Sequence, residues 1–199
     1  VLRAPNESPA DPGVVVLPFR VTGNDLDYLR EGVIDLMSIN FDGAPGLRKV
    51  DVASTMTAWN DHVGENRAAS SDQDALEVAR SLGARYAVLG SVVQTGSRTV
   101  QLQAEAYDVG SGHSRGSAHV QGSPDSLTRL IDELTLELLR RGLVPADGGY
   151  ASPNLSRVTT SSLPALKSFL AGESAYRDGD WPEAAAHYRE SVARDSLFA

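Results

Sequence analysis

The stretch RYAVLGSVVQTGSRTVQLQAEAYD, from Arg85 to Asp108, predicts two neighbouring antiparallel strands and therefore a sheet of mixed character. Its two halves, 85–94 and 99–108, have the composition of strands, and Thr95–Arg98 between them contains the glycine of a hairpin turn. In the second half, apolar and polar residues alternate. One face of this strand is therefore expected to meet the core and the other to meet water or a partner.

The residues before this hairpin predict alternating strands and helices. The run VVVL at 14–17 is short, β-branched and unalternating, which is typical of a strand buried on both faces, and Pro18 ends its regular pairing. A β-α-β-α order implies parallel strands joined by crossover helices. The expected elements are a helix capped by Asn24 or Asp25 and ending near Phe41, a strand over Leu47–Val52, a loop with at most one short helix over Ala53–Ala69, and a helix capped by Ser70 or Ser71 and ending at Gly83.

The residues after the hairpin predict one further strand, over Ser114–Gln121, and the most clearly patterned helix of the chain. Ser123 caps this helix, Pro124 occupies its first position, and Arg140–Arg141 place cations at the negative end of its dipole. Residues 14–143 are therefore predicted to form one α/β (mixed-sheet α+β) domain with the order β-α-β-α-β-β-β-α. The apolar stripe of the last helix consists of Leu127, Ile131, Leu134 and Leu138.

The tail from Ser162 to Ala199, SLPALKSFLAGESAYRDGDWPEAAAHYRESVARDSLFA, predicts an α-helical hairpin with its turn at Asp178–Asp180. Gly172 permits close contact of the two helices, and the aromatic residues Trp181 and Tyr188 follow at spacings that suit packing between them. Because one such pair of helices does not bury its apolar face alone, it must pack on the α/β domain, on another copy or on further repeats.

Two segments that contain several prolines or glycines flank the α/β domain. Residues 1–13 are predicted to be a flexible leader and residues 144–161 a linker to the tail. The chain begins with Val1 rather than methionine, so it is interpreted as a piece of a longer protein. Any signal or membrane anchor is then expected outside it.

The composition excludes several classes of function. A hydrophobic fraction of 41% with 22% charged residues is typical of a globular chain with a core. The formal net charge of −8 repels nucleic acid and anionic membrane surfaces. The absence of cysteine excludes disulfides, thiolate nucleophiles and Cys-based zinc sites. No run approaches the ~18 apolar residues that a membrane span requires, so no direct membrane insertion is expected.

The tail resembles the tetratricopeptide family over roughly the length of one repeat. The preceding domain, over about Val14–Gly142, resembles the α/β family of TolB amino-terminal-like domains. Five short motifs in the right order carry this second resemblance. They are VVVLPF at 14–19, YLREGVIDLM at 28–37, PGLRKV at 45–50, ARSLGARYAVLGSV at 79–92 and VQLQAEAYDVGSGH at 100–113. The family's usual Asp-Pro after the first strand is replaced here by Thr22–Asp25.

These resemblances imply a sensory or scaffolding role in bacterial multidomain signalling proteins. Members of the family commonly stand across a membrane segment from a serine/threonine kinase, a cyclase or a winged-helix DNA-binding domain. The implied location is extracytoplasmic, on the periplasmic side, with the cytoplasm as the alternative. The implied partner is a protein or peptide, with homodimerisation as a further possibility, and the family supplies no catalytic residue to transfer.

Three acidic residues, Asp27, Glu31 and Asp35, recur every four positions on the first predicted helix and are candidates for binding a partner or ligand. Like charges at this spacing destabilise a helix by roughly 0.2–0.5 kcal/mol per pair, so compensation is expected. A divalent cation or a basic patch of a partner would provide it. A solvated helix face neutralised by Arg30 or Lys49 explains the pattern equally well.

Trp181 and Tyr188 are the candidate ligand-facing residues of the tail. Aromatic residues at these positions of a repeat normally fill the contact between its helices and the next repeat. A core role is therefore favoured for both residues over a ligand-binding one.

No motif predicts catalysis, a metal site or a cofactor. The only lysines are Lys49 and Lys167, which excludes a phosphate-binding GxxxxGK[ST] loop, and the four histidines form no HExxH pattern. No GxSxG elbow occurs either. The sequence thus favours a non-catalytic interaction module. The rivals are a small-ligand sensor with its pocket near Arg20–Asp25 and Ala53–Trp59, an enzyme without a recognisable motif, and a dimerisation module.

Overall fold

A computed structural model describes residues 11–42, 44, 46–64, 71–143, 160 and 162–197 of the chain. These residues form a six-stranded mixed sheet with helices on both faces, followed by a helical hairpin. The strands are β1 (Gly13–Val16), β2 (Arg20–Thr22), β3 (Arg48–Lys49), β4 (Tyr86–Gly96), β5 (Thr99–Asp108) and β6 (His113–Gly122). The α-helices are α1 (Leu29–Phe41), α2 (Val52–Val63), α3 (Asp72–Ser81), α4 (Leu127–Leu138), α5 (Leu163–Arg177) and α6 (Trp181–Arg194).

The sheet has the order β3-β1-β4-β5-β6, and β2 also pairs with β4. Strand β1 is parallel to both of its neighbours, whereas β4, β5 and β6 are antiparallel to one another. This combination confirms the predicted fold class, a mixed α/β sheet with a carboxyl-terminal helical hairpin. Strand β2 is an addition to the predicted order, because the chain resumes its pairing with β4 after the interruption at Pro18.

Two apolar cores lie on the two faces of the sheet. Val14 and Val16 of β1 belong to the larger core, and Val15 and Leu17 belong to the smaller one, so this segment is buried on both sides as its sequence predicts. Helices α1, α4 and α5 cover the larger core and α3 covers the smaller one, while α2 contributes Met56 to the larger core and Trp59 to the smaller. The predicted inward face of β5 is confirmed, because Val100, Leu102, Ala104 and Ala106 all lie in the larger core.

Helix α1 begins at Leu29, three to four residues later than a cap at Asn24 or Asp25 predicts. Asp25 has a left-handed backbone conformation (φ 58°), which a right-handed helix cannot include, and the N–H of Asn24 donates to the side chain of Gln94 at 3.0 Å. Asp27 therefore precedes the helix that it was predicted to share with Glu31.

Around β3, the predicted strand over Leu47–Val52 is shorter in the structure, and the short helix allowed within the following loop is a full helix. Strand β3 comprises only Arg48–Lys49, because Asp51 caps helix α2 by accepting a hydrogen bond from the N–H of Ser54 at 2.8 Å. The twelve-residue helix α2 then replaces most of the predicted loop. Its polar sequence hides a short inward face formed by Thr55, Met56 and Trp59.

The predicted cap of α3 is confirmed at Ser71, which forms a reciprocal capping box with Asp74. The predicted stripe of α4 is fully buried, and a 3-10 turn (Pro124–Ser126) precedes this helix. A π-helical turn (Leu139–Leu143) follows it. The leader up to residue 10, Ser70 and most of the linker lie outside the described residues, so the predicted domain boundaries stay predictions.

Candidate functional site

The helical hairpin packs on the α/β domain through α5. Leu166 and Leu170 of α5 belong to the larger core, together with residues of α1 and α4. A Cβ atom on Gly32 of α1 would lie 2.5 Å from a methyl carbon of Leu170, so the absent side chain is what lets the two helices approach. Lys167 adds a cation–π contact, 4.8 Å from the ring centroid of Tyr28.

A buried ion pair completes this packing at the carboxyl end of α5. One guanidinium nitrogen of Arg177 donates to both carboxylate oxygens of Asp35, at 2.8 and 3.1 Å, and the other donates to Glu31 at 3.2 Å. The side chains of Arg177 and Asp35 are only 10% and 7% exposed. Arg177 is thus the cation that compensates Glu31 and Asp35, two of the three candidate carboxylates, whereas Arg30 lies near the third, Asp27.

Burial dominates the electrostatics of this pair. Removal from water raises the pKa of Asp35 to about 7, and Glu173 and Glu31 add to this effect, although the positive charge of Arg177 opposes it. Burial also acts against the charge of Arg177, but its two carboxylate partners outweigh this, and the pKa of Arg177 lies above its usual value. The site therefore retains a cation under all ordinary conditions.

Tyr188 of α6 connects the hairpin to the same cluster. Its hydroxyl donates to Glu173 at 2.7 Å, and its ring faces Gly172, where a Cβ atom would approach a ring carbon to 2.6 Å. Burial and the neighbouring Glu173 raise the pKa of Tyr188. Tyr188 is half-buried and fills the contact between α5 and α6, as its spacing in the sequence predicts.

An open cleft of about 660 Å³ lies between the amino end of α1 and one flank of the hairpin. Its volume falls within the roughly 300–1,000 Å³ of typical ligand sites. Five carboxylates line it against two guanidinium groups, which gives a formal charge of −3 with His187 neutral. The carboxylates are those of Asp27, Glu31, Asp178, Asp180 and Glu183, and the cations are Arg30 and Arg177.

The carboxylates on the hairpin side of the cleft lack strong partners. Asp178, Asp180 and Glu183 form no ion pair with an arginine or lysine in the described part of the chain. Asp180 caps α6 by accepting from the N–H of Glu183 at 3.1 Å, and Glu183 lies 3.6 Å from a ring nitrogen of His187. Negative charge on this side is therefore balanced mainly by solvent.

The structure brings Asp27 and Glu31 into this cleft and buries Asp35 beneath it. The side chain of Asp27 is 86% exposed and lies 3.6 Å from Arg30, while Lys49 pairs with Asp42 instead of the candidate carboxylates. The sequence reasoning missed Arg177 and the three carboxylates of the hairpin, because only the docking of α5 on α1 brings them to this place.

Trp181 is exposed among the described residues, and the core role favoured for it, which includes contact with a following repeat, stays a prediction. It stands at the first position of α6 and is 60% exposed, and its ring meets that of Tyr176 edge to face at a centroid distance of 4.9 Å. Tyr176 is itself 53% exposed. The two rings shield each other only in part because no described residue covers them.

The cavities formed by described residues at the ends of the parallel strands are small. The cavities next to Trp59 have volumes of about 20 Å³, and the one between Arg20, Asp72 and Tyr107 has about 170 Å³. All are below the roughly 300 Å³ at which ligand sites begin. Among the described residues, no group of three or more His, Asp or Glu side chains is arranged to hold a metal ion, and no helix has the length and hydropathy to cross a membrane.

No family model and no curated protein sequence matches the chain. Among solved structures, it is similar to the C-terminal domain of LpoB from Salmonella enterica, with 16% identity and a TM-score of 0.46 over 59% of this chain and 87% of that one. It is similar to lipoprotein GNA1162 from Neisseria meningitidis, with 18% identity and a TM-score of 0.47 over 58% and 81%. TolB from Acinetobacter baumannii shares 11% identity, with a TM-score of 0.43 over 65% and 28%.

Proposed function

We propose that this chain is a non-catalytic interaction module whose acidic cleft binds a basic segment of a protein partner. The observation that carries this proposal is the position of Asp178, Asp180 and Glu183, three carboxylates without an arginine or lysine partner in the described residues, on one wall of the cleft. Lysine or arginine side chains of a partner would supply the missing counter-charges.

The two walls of the cleft are held in a fixed relation, which favours binding. Arg177 links α5 to α1 through Asp35 and Glu31, and Leu170 packs against Gly32 directly beside the cleft. Because these contacts exist before a partner arrives, little ordering of the protein opposes association. The cleft is open, so its shape suits an extended peptide segment with alternating basic residues better than a small metabolite, which normally binds in an enclosed pocket.

The proposal extends to the biological class of the protein. The helical hairpin would be a repeat unit of the tetratricopeptide type, and the whole would be a sensory or scaffolding part of a bacterial signalling protein. Its extracytoplasmic position and its serine/threonine kinase or cyclase parent follow only from the sequence resemblance. The small-ligand sensor is the weaker alternative, because the cavities at the strand ends are small.

Fluorescence anisotropy with labelled peptides tests the proposal. A lysine- and arginine-rich peptide is expected to bind with an affinity that falls as salt is added, and a glutamate-rich peptide of equal length is not expected to bind. The variant Asp27→Asn/Glu183→Gln removes two exposed charges of the cleft. It should weaken binding by about tenfold, since partly exposed charge pairs contribute up to about 1 kcal/mol each.

The matched control is Asp11→Asn/Asp61→Asn, which removes the same net charge at two exposed positions that do not line the cleft. This control should bind the basic peptide almost as well as the unchanged chain does. Equal losses in the two double variants would show that only the overall charge of −8 attracts the peptide, and the cleft would then have no specific role.

A further inference from the structure

The flank of the hairpin away from the cleft carries exposed apolar side chains. Tyr176, Trp181, Val192 and Leu197 are 53%, 60%, 50% and 91% exposed, and among the described residues the only other large hydrophobic side chain with comparable exposure is that of Val93. This concentration on one short element is unusual, because single apolar residues normally scatter over a surface.

Four residues of α6 form a continuous row, which we call the hairpin stripe: Trp181 and Val192, which are exposed, and Ala185 and Tyr188, which are half-buried, Tyr188 packing at the same time against Gly172 of α5. They follow one another at intervals of four, three and four positions, which places them on one side of a helix. The cleft-lining residues Glu183 and His187 lie on the other flank of α6. The stripe and the acidic cleft are therefore separate surfaces.

The intervals of four, three and four positions in the hairpin stripe are the same whether the helix is followed from its amino end or from its carboxyl end. A second α6 laid antiparallel across it would place Trp181 opposite Val192 and Ala185 opposite Tyr188, so that a large side chain meets a smaller one at each contact. A parallel arrangement would instead set two tryptophans against each other. Alternation of large and small residues across an interface is what close packing requires.

From this self-complementary pattern we infer that the hairpin stripe is a two-fold interface with a second copy of this chain. Leu197, just beyond the end of α6, would then reach the edge-to-face pair formed by Tyr176 and Trp181 of the other copy. The four large hydrophobic residues that are exposed in the described part of the hairpin would all take part in such a contact. An interface of this kind is isologous and closes at two subunits.

The expected association is weak. A few aromatic and aliphatic side chains from each copy bury on the order of 1,000 Å² in total, which lies at the lower limit of specific interfaces. The formal net charge of −8 on each chain also opposes association. Because salt screens this repulsion, dimerisation should strengthen with added salt, whereas binding of a basic peptide in the cleft should weaken.

Sedimentation equilibrium of the 199-residue chain tests the inference. The unchanged chain should show a monomer–dimer equilibrium with a micromolar dissociation constant. Trp181→Glu and Val192→Lys should each weaken dimerisation by at least about tenfold, because each places an unpaired charge against an apolar surface. Val93→Lys, a matched change at an exposed valine of the sheet, should leave the dissociation constant unchanged.

Mixing the two variants gives the decisive result. In the antiparallel arrangement, one Trp181→Glu chain and one Val192→Lys chain bring Glu opposite Lys at one contact and keep the original Trp–Val contact at the other. Association should therefore return in the mixture although each variant alone stays monomeric. Circular dichroism confirms beforehand that both variants retain the helical content of the unchanged chain.

Several outcomes would overturn the inference. If the chain stays monomeric at several hundred micromolar, the hairpin stripe is not an interface between two copies. It would then be covered by other residues of the chain or would bind a different partner. A dimer that tolerates both single variants uses another surface. A mixture that fails to associate rules out the antiparallel pairing. None of these outcomes bears on the cleft, whose peptide binding is measured separately.

Discussion

Arg177 links the carboxyl end of α5 in the hairpin to α1 of the α/β domain. It is nearly buried and donates three hydrogen bonds to Asp35 and Glu31 of α1. Loss of one partner of such a pair leaves an uncompensated charge inside the protein, which is far more costly than the net worth of the pair. The burial of Asp35 makes this cost depend on pH, because its carboxyl group has two accessible protonation states near neutrality.

We expect the destabilisation caused by Arg177→Met to increase with pH. The pKa of Asp35 is about 7 in the folded chain, against 3.8 as its ordinary value, so below pH 7 the folded chain holds this carboxyl group protonated with or without Arg177. Above pH 7, the carboxyl group of Asp35 is charged and paired with Arg177 in the unchanged chain. In the Arg177→Met variant, the same group must either stay protonated or carry an unpaired charge. The decrease in the free energy of unfolding caused by Arg177→Met should therefore be about 1 kcal/mol larger at pH 8 than at pH 5.

Urea denaturation at the two pH values measures this difference, and Arg189→Met is the control. Arg189 is an exposed arginine of the same hairpin, and it forms no ion pair with any described residue. Its replacement should change the free energy of unfolding by less than about 0.5 kcal/mol at either pH. A loss for Arg177→Met that is the same at pH 5 and pH 8 would contradict the account given for Asp35.

At the scale of elements, the contact between α5 and α6 depends on the absence of a side chain at Gly172. The ring of Tyr188 occupies the space that a Cβ atom would need, and Ser191 donates to the carbonyl of Ala165 at 2.8 Å further along the same contact. Glycine inside a helix normally lowers its stability relative to alanine by roughly 0.5–1 kcal/mol. Glycine is nevertheless required at this position, because only a residue without a side chain lets the two helices approach so closely.

Gly172→Ala is therefore expected to destabilise the chain despite the better helix propensity of alanine. An aromatic ring at 2.6 Å from the new Cβ atom has to move, and overpacking of this kind costs about 1–3 kcal/mol, more than the gain in propensity. Thermal unfolding measures the effect. The double variant Gly172→Ala/Tyr188→Leu should recover part of the loss, and an unchanged or increased melting temperature for Gly172→Ala alone would contradict the close packing.

The elements that were predictable are those whose patterns are local. The hairpin, the cap at Ser71 and the stripe of α4 all depend on neighbouring residues, and all three occur, although the hairpin turn is confined to Ser97–Arg98 because β4 continues to Gly96. Helix α2 was expected at most as a short helix within a loop, because its polar sequence gains its order from tertiary contacts, with Met56 packing in the larger core and Trp59 in the smaller one. The candidate site was predictable only in part, since Arg177 and Asp35 lie 142 positions apart and no local signal joins them.

At the scale of the whole molecule, the hairpin is attached to the α/β domain through one of its two helices. Leu166 and Leu170 of α5 share the larger core with α1 and α4, whereas α6 contributes no residue to either core. The extensive contacts of α6 are with α5 alone. This asymmetry gives the two helices different roles, because α5 is part of the folded body while α6 carries the exposed surfaces of the hairpin.

Native-state hydrogen exchange should therefore separate α5 from α6. Amides of α5 that face the core are expected to exchange only when the sheet unfolds, at rates close to those of β4 and α4, because opening them exposes Leu166 and Leu170 to water. Amides of α6 should exchange faster through local opening, since only the contact with α5 must break. Mass spectrometry of peptides from the two helices, at protein concentrations below dimerisation, measures both rates. If α5 and α6 exchanged together and well before β4, the hairpin would be an independent unit, and the shared core would not be what fixes the cleft.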